Sequence, residues 1–239
     1  MPALIDDPSS ARIPSPPTAH APNITARVIT LRNSQVATIL PFHSQDSVPP
    51  PLLAHLCATF NAEIEAGDTY PMLSGMTLDA FSAYWLQNFA AIMLLGDFSH
   101  ASPSSITSAI TAGNVEDLCM GTFYIKPNYP GRSSHICNGG FLVSPAHRGF
   151  GVGRLLGEAY IAYAPQLGYE YSVFNLVYET NVASMRIWDA LGFERIGRVP
   201  GAGRLRSWPG RKVDAVVYGR GFGEVDGERP SGEPEVAGV

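Results

Sequence analysis

One stretch constrains this chain more than any other: Val143-Ser144-Pro145-Ala146-His147-Arg148-Gly149-Phe150-Gly151-Val152-Gly153-Arg154-Leu155-Leu156. A strand-like run ends, three glycines alternate, and a helix with apolar periodicity begins. Glycines let a backbone approach a ligand closely and point successive N–H groups one way. A helix start adds unsatisfied donors and a partial positive charge. Together they predict an anion site whose natural guest is a pyrophosphate, the alternative being a glycine-rich loop with no ligand. Arg148 and Arg154 can add charge-assisted bonds to it. A dinucleotide fingerprint fits poorly. Read from Gly149 it needs glycine at 154, which is Arg; read from Gly151 it needs glycine at 156, which is Leu. The turn also falls late in the chain, and no acid sits suitably at the end of a next strand.

The flanking pattern fills in the fold. Residues 27–39 hold a strand. Leu52, Leu53, Leu56, Phe60 and Ile64 recur at helical spacing, with Gly67 as a stop. Thr77 caps a second helix with Leu78, Phe81, Trp85 and Phe89 inward. Strands are expected at 90–95, 118–126, 136–143, 171–177, 193–199 and 213–218, and helices at 152–164 and 181–191. Residues 97–115, polar and rich in Ser and Thr, read as a loop. A helix between two late strands implies a parallel pair within a mixed sheet. The expected class is α/β (α+β), a twisted central sheet flanked by helices.

Composition sets the limits. Of 20 prolines, Pro2, Pro8, Pro14, Pro16, Pro17 and Pro22 crowd the start, so residues 1–25 read as a flexible arm. Residues 221–239 are rich in Gly, Pro and Glu and read as an acidic, disordered tail, leaving a folded domain at 26–220. A net charge of −5 argues against nucleic acid as a partner. No apolar run reaches membrane-spanning length, and the N-terminus carries Asp6 and Asp7 without a secretory apolar region. Three cysteines without a CxxC point to reduced thiols inside the cell and give no zinc pattern.

The run P-x-x-R-G-x-G-x-G-x-x-L resembles the acetyl-CoA signature of the GNAT N-acetyltransferase superfamily. A second signature follows at the right distance: residues 181–193 (NVASMRIWDALGF) resemble that family's late helix and turn. The stretch VDAVVY at 213–218 is similar to its closing strand. Three further segments, FNAEIEAGDTYP from Phe60, GTFYIKPNY from Gly121 and FNLV from Phe174, resemble the fungal N-acetyltransferases of proline analogues. The similarity covers about residues 50–220.

That resemblance implies a GNAT-type sheet with a β-α-β core for acetyl-CoA and no metal. It implies a homodimer, cytoplasmic or mitochondrial, with a detoxification or stress-protection role. The acceptor would be a small proline-like amino or imino acid: azetidine-2-carboxylate, pyrroline-5-carboxylate or glutamate semialdehyde. Phe141, Leu142 and Val143 would run beside the pantetheine arm. Arg148, Gly149, Gly151, Val152, Gly153 and Arg154 would hold the pyrophosphate. The residues matching Asn138 and Asn175 would hold the acceptor and position its nitrogen, and Asn181 would face the cofactor arm. An amide cannot act as a base, yet it grips a carboxylate through its NH₂ and an amine through its C=O. Asn138 also reads as a turn residue and Asn181 as a helix cap. Asn175 lies in an apolar strand, where a buried amide needs partners.

The superfamily often has a proton-donating tyrosine where this chain has Trp188. Indole cannot serve, so Trp188 packs against either the acyl end or the core. No obvious general base stands out; His135 and Glu63 are the candidates. His147 reads as a turn residue or a cofactor contact. Tyr70, Phe81, Tyr84 and Trp85 could line an acceptor wall. Two other functions fit the cofactor signature: a peptide or protein N-acetyltransferase, and a non-catalytic acyl-CoA-binding module.

Overall fold

The computed structural model describes residues 24–44 and 47–223. The expected arm before Ile24 and tail after 223 lie outside the described residues. Ile24 is itself buried, and Phe222 packs against the same core, so packing reaches past 26–220 at both ends.

The strands are β1 (Arg27–Thr30), β2 (Val36–Phe42), β3 (Phe89–Leu95), β4 (Cys119–Pro127), β5 (Ile136–Val143), β6 (Tyr171–Tyr178), β7 (Glu194–Gly203) and β8 (Val213–Gly221). They form one sheet in the order β1-β2-β3-β4-β5-β6-β8-β7. Every neighbouring pair is antiparallel except β5 and β6. The helices are α1 (Pro50–Ala66), α2 (Leu78–Trp85), α3 (Pro103–Ala109), α4 (Val115–Leu118), α5 (Val152–Gln166) and α6 (Val182–Ala190). This is the mixed, helix-flanked sheet that the sequence pattern predicts. No described helix is long and apolar enough to cross a membrane.

The two faces hold separate cores. One packs Phe123, Ile125 and Cys137 against Val152, Leu156 and Tyr160 of α5 and Trp188 of α6. The other packs Leu40, Ile92, Tyr124 and Leu142 against Leu52, Leu56 and Phe60 of α1 and Phe81 and Trp85 of α2. β3 (FAAIMLL) feeds both, which is why it reads as a continuous apolar run without alternation. α1 opens on Pro50 and Pro51 and ends on Gly67 at φ 71°, a left-handed stop that glycine adopts without a Cβ clash. Thr77 caps α2, its hydroxyl accepting from the Ala80 N–H at 3.2 Å.

Two local readings are corrected. Residues 27–39 hold two strands rather than one, turning at Ser34 (φ 65°). The expected loop at 97–115 contains α3. Ser102 caps it by accepting from the Ser105 N–H, Pro103 opens it, and Thr107 and Ser108 bond back to the carbonyls of Pro103 and Ser104, both at 2.9 Å. Ile106 is its one buried anchor. Its hydroxyls satisfy one another and the backbone, so helix forms where composition suggests turn.

β5 and β6 pair only at Ile136↔Tyr171 and Cys137↔Ser172 and then part. Beyond the split, β5 carries Gly139 and Gly140. A Cβ at Gly139 would collide with the Tyr160 ring, and one at Gly140 with the Tyr124 ring, so each bare strand segment is covered by a tyrosine. On the other side, β6 shifts register against β8 between Phe174 and Val177. Such a bulge re-aims side chains beside a site.

Candidate active site

The split is flanked by a cleft of about 620 Å³. Residues 139–143 of β5 form one wall and Phe174, Val177 and Tyr178 of β6 the other. The phosphate turn lies at one end, with Asn181, Ser184, Ile187 and Trp188 beside it, and Glu63, Thr69 and Tyr70 reach in from the α1 side.

The turn has the build its sequence predicts. Gly149 and Gly151 stand at φ 81° and 82°, in the left-handed region, and a Cβ on either would meet nothing within 4 Å. Backbone conformation, not crowding, demands glycine there. Gly151 is the N-cap of α5, which has no side-chain cap hydrogen bond. The donors at its start are therefore open to a ligand, and an anion suits them. A Cβ at Gly153 would meet Ile187 at 3.0 Å, so this glycine lets α5 and α6 approach. Both expected arginines line the cleft but already hold carboxylates. Arg154 meets Glu158 at 2.9 Å, and Arg148 meets Glu63 at 2.5 Å. Glu63 also accepts from the Thr69 hydroxyl at 3.0 Å.

Phe141, Val143 and Val152 line the cleft, as does Leu142, whose side chain belongs to the α1-side core. The Phe141 carbonyl accepts the Tyr70 hydroxyl at 2.8 Å. Burial pushes the Tyr70 phenol well above its usual range, so it stays protonated. Trp188 packs into the core, as one of its two expected placements has it. It lines the cleft while its ring lies 4.6 Å from Phe174 and 4.7 Å from Phe141. Asn181 also does two things, lining the cleft and capping α6 by accepting from the Ser184 N–H at 3.1 Å.

Asn138 and Asn175 do not line this cleft; they lie on β5 and β6 just past the residues at which the two strands pair. Asn138 is fully buried. Its Nδ2 donates to the Val173 carbonyl at 2.7 Å, tying β5 to β6, and its Oδ1 has no hydrogen-bond partner among the described residues. Asn175 forms a reciprocal amide pair with Asn128, at 2.6 and 3.1 Å. Asn128 was not among the expected residues; neither was Lys126, opposite Asn138 in the β4–β5 register. Lys126 is 3% exposed, its Nζ 4.1 Å from the Tyr84 ring centre and 4.9 Å from that of Tyr124. The signal for both was in the strand: polar residues at alternate positions, on the side that Tyr124 shares with α1 and α2.

The other expected acceptor residues stand apart. Trp85 is buried, donates its indole N–H to Thr122 at 3.1 Å, and packs under Phe60 and Phe81. It lines neither this cleft nor a second one of about 560 Å³. His135 is exposed just ahead of β5 and lines neither cleft. Tyr70 borders both. All three cysteines are buried, and desolvation pushes the thiols of Cys119 and Cys137 up to about 12, which suits core residues and not nucleophiles. Among the described residues no group of three or more His, Cys, Asp or Glu is placed to hold a metal ion.

A split parallel pair with a glycine turn feeding an uncapped helix defines a class: enzymes that hold an acyl-CoA by its backbone and pass the acyl group on. The comparisons agree. Residues 71–193 match the acetyltransferase (GNAT) family. N-acetyltransferase aca1 of Schizosaccharomyces pombe is 46% identical over 167 residues, covering 70% of this chain and 78% of that protein. Protein SPT10 of Saccharomyces cerevisiae is 34% identical over 221 residues, which is 80% of this chain and 34% of that longer protein. A GCN5-related N-acetyltransferase from Kribbella flavida aligns with TM-score 0.58 and 26% identity, over 77% of this chain and 97% of its own. An acetyltransferase from Salmonella typhimurium, solved with acetyl-CoA, shares the fold at TM-score 0.58 and 18% identity, over 79% and 95%. The chain belongs to the GNAT family and is an acetyl-CoA-dependent N-acetyltransferase.

Proposed function

We propose that this enzyme acetylates the nitrogen of a small proline-like amino or imino acid, such as azetidine-2-carboxylate or the open amine form of pyrroline-5-carboxylate, glutamate semialdehyde. The observation that carries this reading is the set of amides Asn138, Asn128 and Asn175 just past the residues at which β5 and β6 pair. Amides grip an amino acid without protonating its nitrogen.

When bound, acetyl-CoA supplies a thioester as the acyl donor. The chain's part is to hold and orient. Gly149 to Gly153 present backbone donors to the pyrophosphate, and the strand Gly140–Val143 runs beside the pantetheine arm. Asn175 and Asn138 set the acceptor nitrogen towards the thioester carbon, so that amine and thioester meet in one ternary complex. The new carbon–nitrogen bond forms as the carbon–sulfur bond breaks, and the amine proton leaves to solvent or to the departing thiolate. A thiol with a pKa of about 8.5 leaves without strong help, so tryptophan at 188 is tolerated. Trp188, Phe141 and Phe174 keep water from the acyl end.

One observation favours a peptide acceptor instead. The second cleft, between residues 70–75 and Ala202, Arg204, Leu205 and Arg206, shares Tyr70 and Tyr178 with the first and is large enough for an extended chain. Thiol release from acetyl-CoA separates the two. Turnover with azetidine-2-carboxylate and none with a mixed peptide pool is expected; turnover with peptides alone overturns the proposal.

A further inference from the structure

Two residues belong to both clefts, Tyr70 and Tyr178. Tyr70 comes from the loop after α1 and Tyr178 from the end of β6, so the pair stands between the clefts with one member from each side. Both are buried. Tyr70 is held at two points. Its ring packs edge-on against Phe60 at 4.7 Å, and its hydroxyl donates to the Phe141 carbonyl at 2.8 Å. A buried tyrosine fixed at both ring and hydroxyl has little freedom to swing aside. Tyr178 packs with Leu205, Val213 and Ala215, and a Cβ at Gly203 would come within 2.7 Å of its ring. The missing side chain at Gly203 gives that ring its place.

The second cleft is a built groove and not a gap between loose loops. The segment after β7 is pinned to the end of α1. The Arg206 N–H donates to the Gly67 carbonyl at 3.1 Å, and its guanidinium to the Glu65 carbonyl at 2.6 Å. Ser207 gives its N–H and its hydroxyl to the Asp68 carboxylate, at 3.0 and 2.5 Å. A Cβ at Gly67 would press on Arg206 at 2.9 Å, so this close approach depends on the glycine. The cleft bordered by the clasp mixes the apolar Met72, Leu73 and Leu205 with the exposed charges of Glu65 and Arg204. Such a surface suits an extended chain carrying side chains of either kind. A chain lying there must still bring its amine to the acyl end of the first cleft, beside Phe141 and Trp188.

The clefts meet at Tyr70 and Tyr178, and that is where such a chain would have to cross. We infer that this tyrosine pair is a partition and that Tyr70 is the specificity-determining residue: it admits acceptors that end close to the reacting nitrogen and excludes those whose backbone runs on into the second cleft. Selectivity of this kind comes from a clash with the wrong partner and not from a contact with the right one. The inference deepens the proposed function and rests on it. It accounts for a groove fit for peptides beside the site of an enzyme for a free amino acid. It also names the side chain whose loss would join the two.

The test is a pair of neutral acceptors that differ in length, azetidine-2-carboxamide and a tripeptide of azetidine-2-carboxylate followed by two glycines and closed as an amide. Azetidine-2-carboxylate runs alongside as the measure of the proposed function, with the full chain and acetyl-CoA throughout. Wild type is expected to prefer the short carboxamide by about 100-fold in kcat/KM. Tyr70→Ala should bring that ratio to within about tenfold by raising the tripeptide rate. Both acceptors draw on one acetyl-CoA site, so a loss of cofactor affinity or of folded protein cancels in the ratio. Tyr70→Phe keeps the ring and should keep the wild-type ratio, which separates the wall from the hydroxyl. Should the alanine variant fail to fold, Tyr70→Leu, which retains more of the buried volume, carries the same expectation. An unchanged ratio in the smaller variant that folds overturns the inference, as does a wild type that treats the two lengths alike. Either result leaves the proposed function standing so long as azetidine-2-carboxylate is turned over. Turnover of the tripeptide with none of azetidine-2-carboxylate removes both.

Discussion

The two sides of the split strand pair solve opposite problems. The cofactor side is made of backbone: left-handed glycines, an uncapped helix start and bare strand edges. The proposed acceptor side is made of side chains, with Asn128, Asn138 and Asn175 drawn from the turn after β4, β5 and β6. A backbone site tolerates change at most side chains and fails when its conformation is denied. A side-chain site tolerates backbone adjustment and fails when one group is lost. The sharpest break should therefore come from Gly151→Glu. At φ 82° any side chain is strained, and a carboxylate there meets a pyrophosphate with like charge. Acetyl-CoA binding by calorimetry is expected to fall at least 100-fold, with the fold intact by circular dichroism. Normal binding would remove the phosphate-turn assignment.

Next in size is Asn175→Ala. It removes the group proposed to orient the nitrogen and deprives Asn128 of its partner. Turnover with azetidine-2-carboxylate is expected to drop about 100-fold while acetyl-CoA affinity stays within about twofold. If turnover persists, the amide cluster is structural.

The contrast also explains what could be read from the chain. The cofactor side is contiguous: fourteen residues from Val143 to Leu156 carry strand end, turn and helix start, so glycine spacing suggests it and the family signatures in the same stretch and in residues 181–193 name it. The proposed acceptor side is scattered, and only folding brings Asn128 against Asn175 and Asn138 against the Val173 carbonyl. The family resemblance pointed to Asn138 and Asn175 but not to their neighbours. It also drew Trp85 towards the acceptor wall, whereas its indole N–H is spent on Thr122 inside the core. Helical spacing identifies an inward face without saying whether it meets ligand or core. α3 escaped for a different reason: one buried isoleucine in seven residues gives no period to detect.

A third substitution pair compares a packed and an open glycine of the cofactor cleft on one chemical change, glycine to alanine. Gly140→Ala drives a methyl into the Tyr124 ring and is expected to cost about 1–3 kcal/mol, since an overpacked core must shift. Gly149→Ala meets open space and pays only for its left-handed backbone, about 1–2 kcal/mol. Thermal unfolding should rank Gly140→Ala as the more damaging, while acetyl-CoA affinity should rank Gly149→Ala as the more damaging. The same order in both measurements would mean that core packing and cofactor binding are not carried by different glycines.

The smallest expected effect lies where the sides touch. Glu63 on α1 holds Arg148 of the phosphate turn at 2.5 Å, with the arginine half-exposed. In that setting the pair is worth about 1 kcal/mol or less, because water and salt screen it. It also occupies an arginine that a pyrophosphate would otherwise attract. Glu63→Gln should therefore leave the melting temperature nearly unchanged and tighten acetyl-CoA binding about two- to fivefold at low salt, an advantage that shrinks as salt rises. Acceptor KM should not move. The same variant tests the one carboxylate that both lines the cleft and reaches it from the acceptor side. Were Glu63 the base that takes the amine proton, kcat would collapse and its acidic pH limb would vanish, and the acceptor side would then owe its chemistry to a residue that also governs the cofactor side.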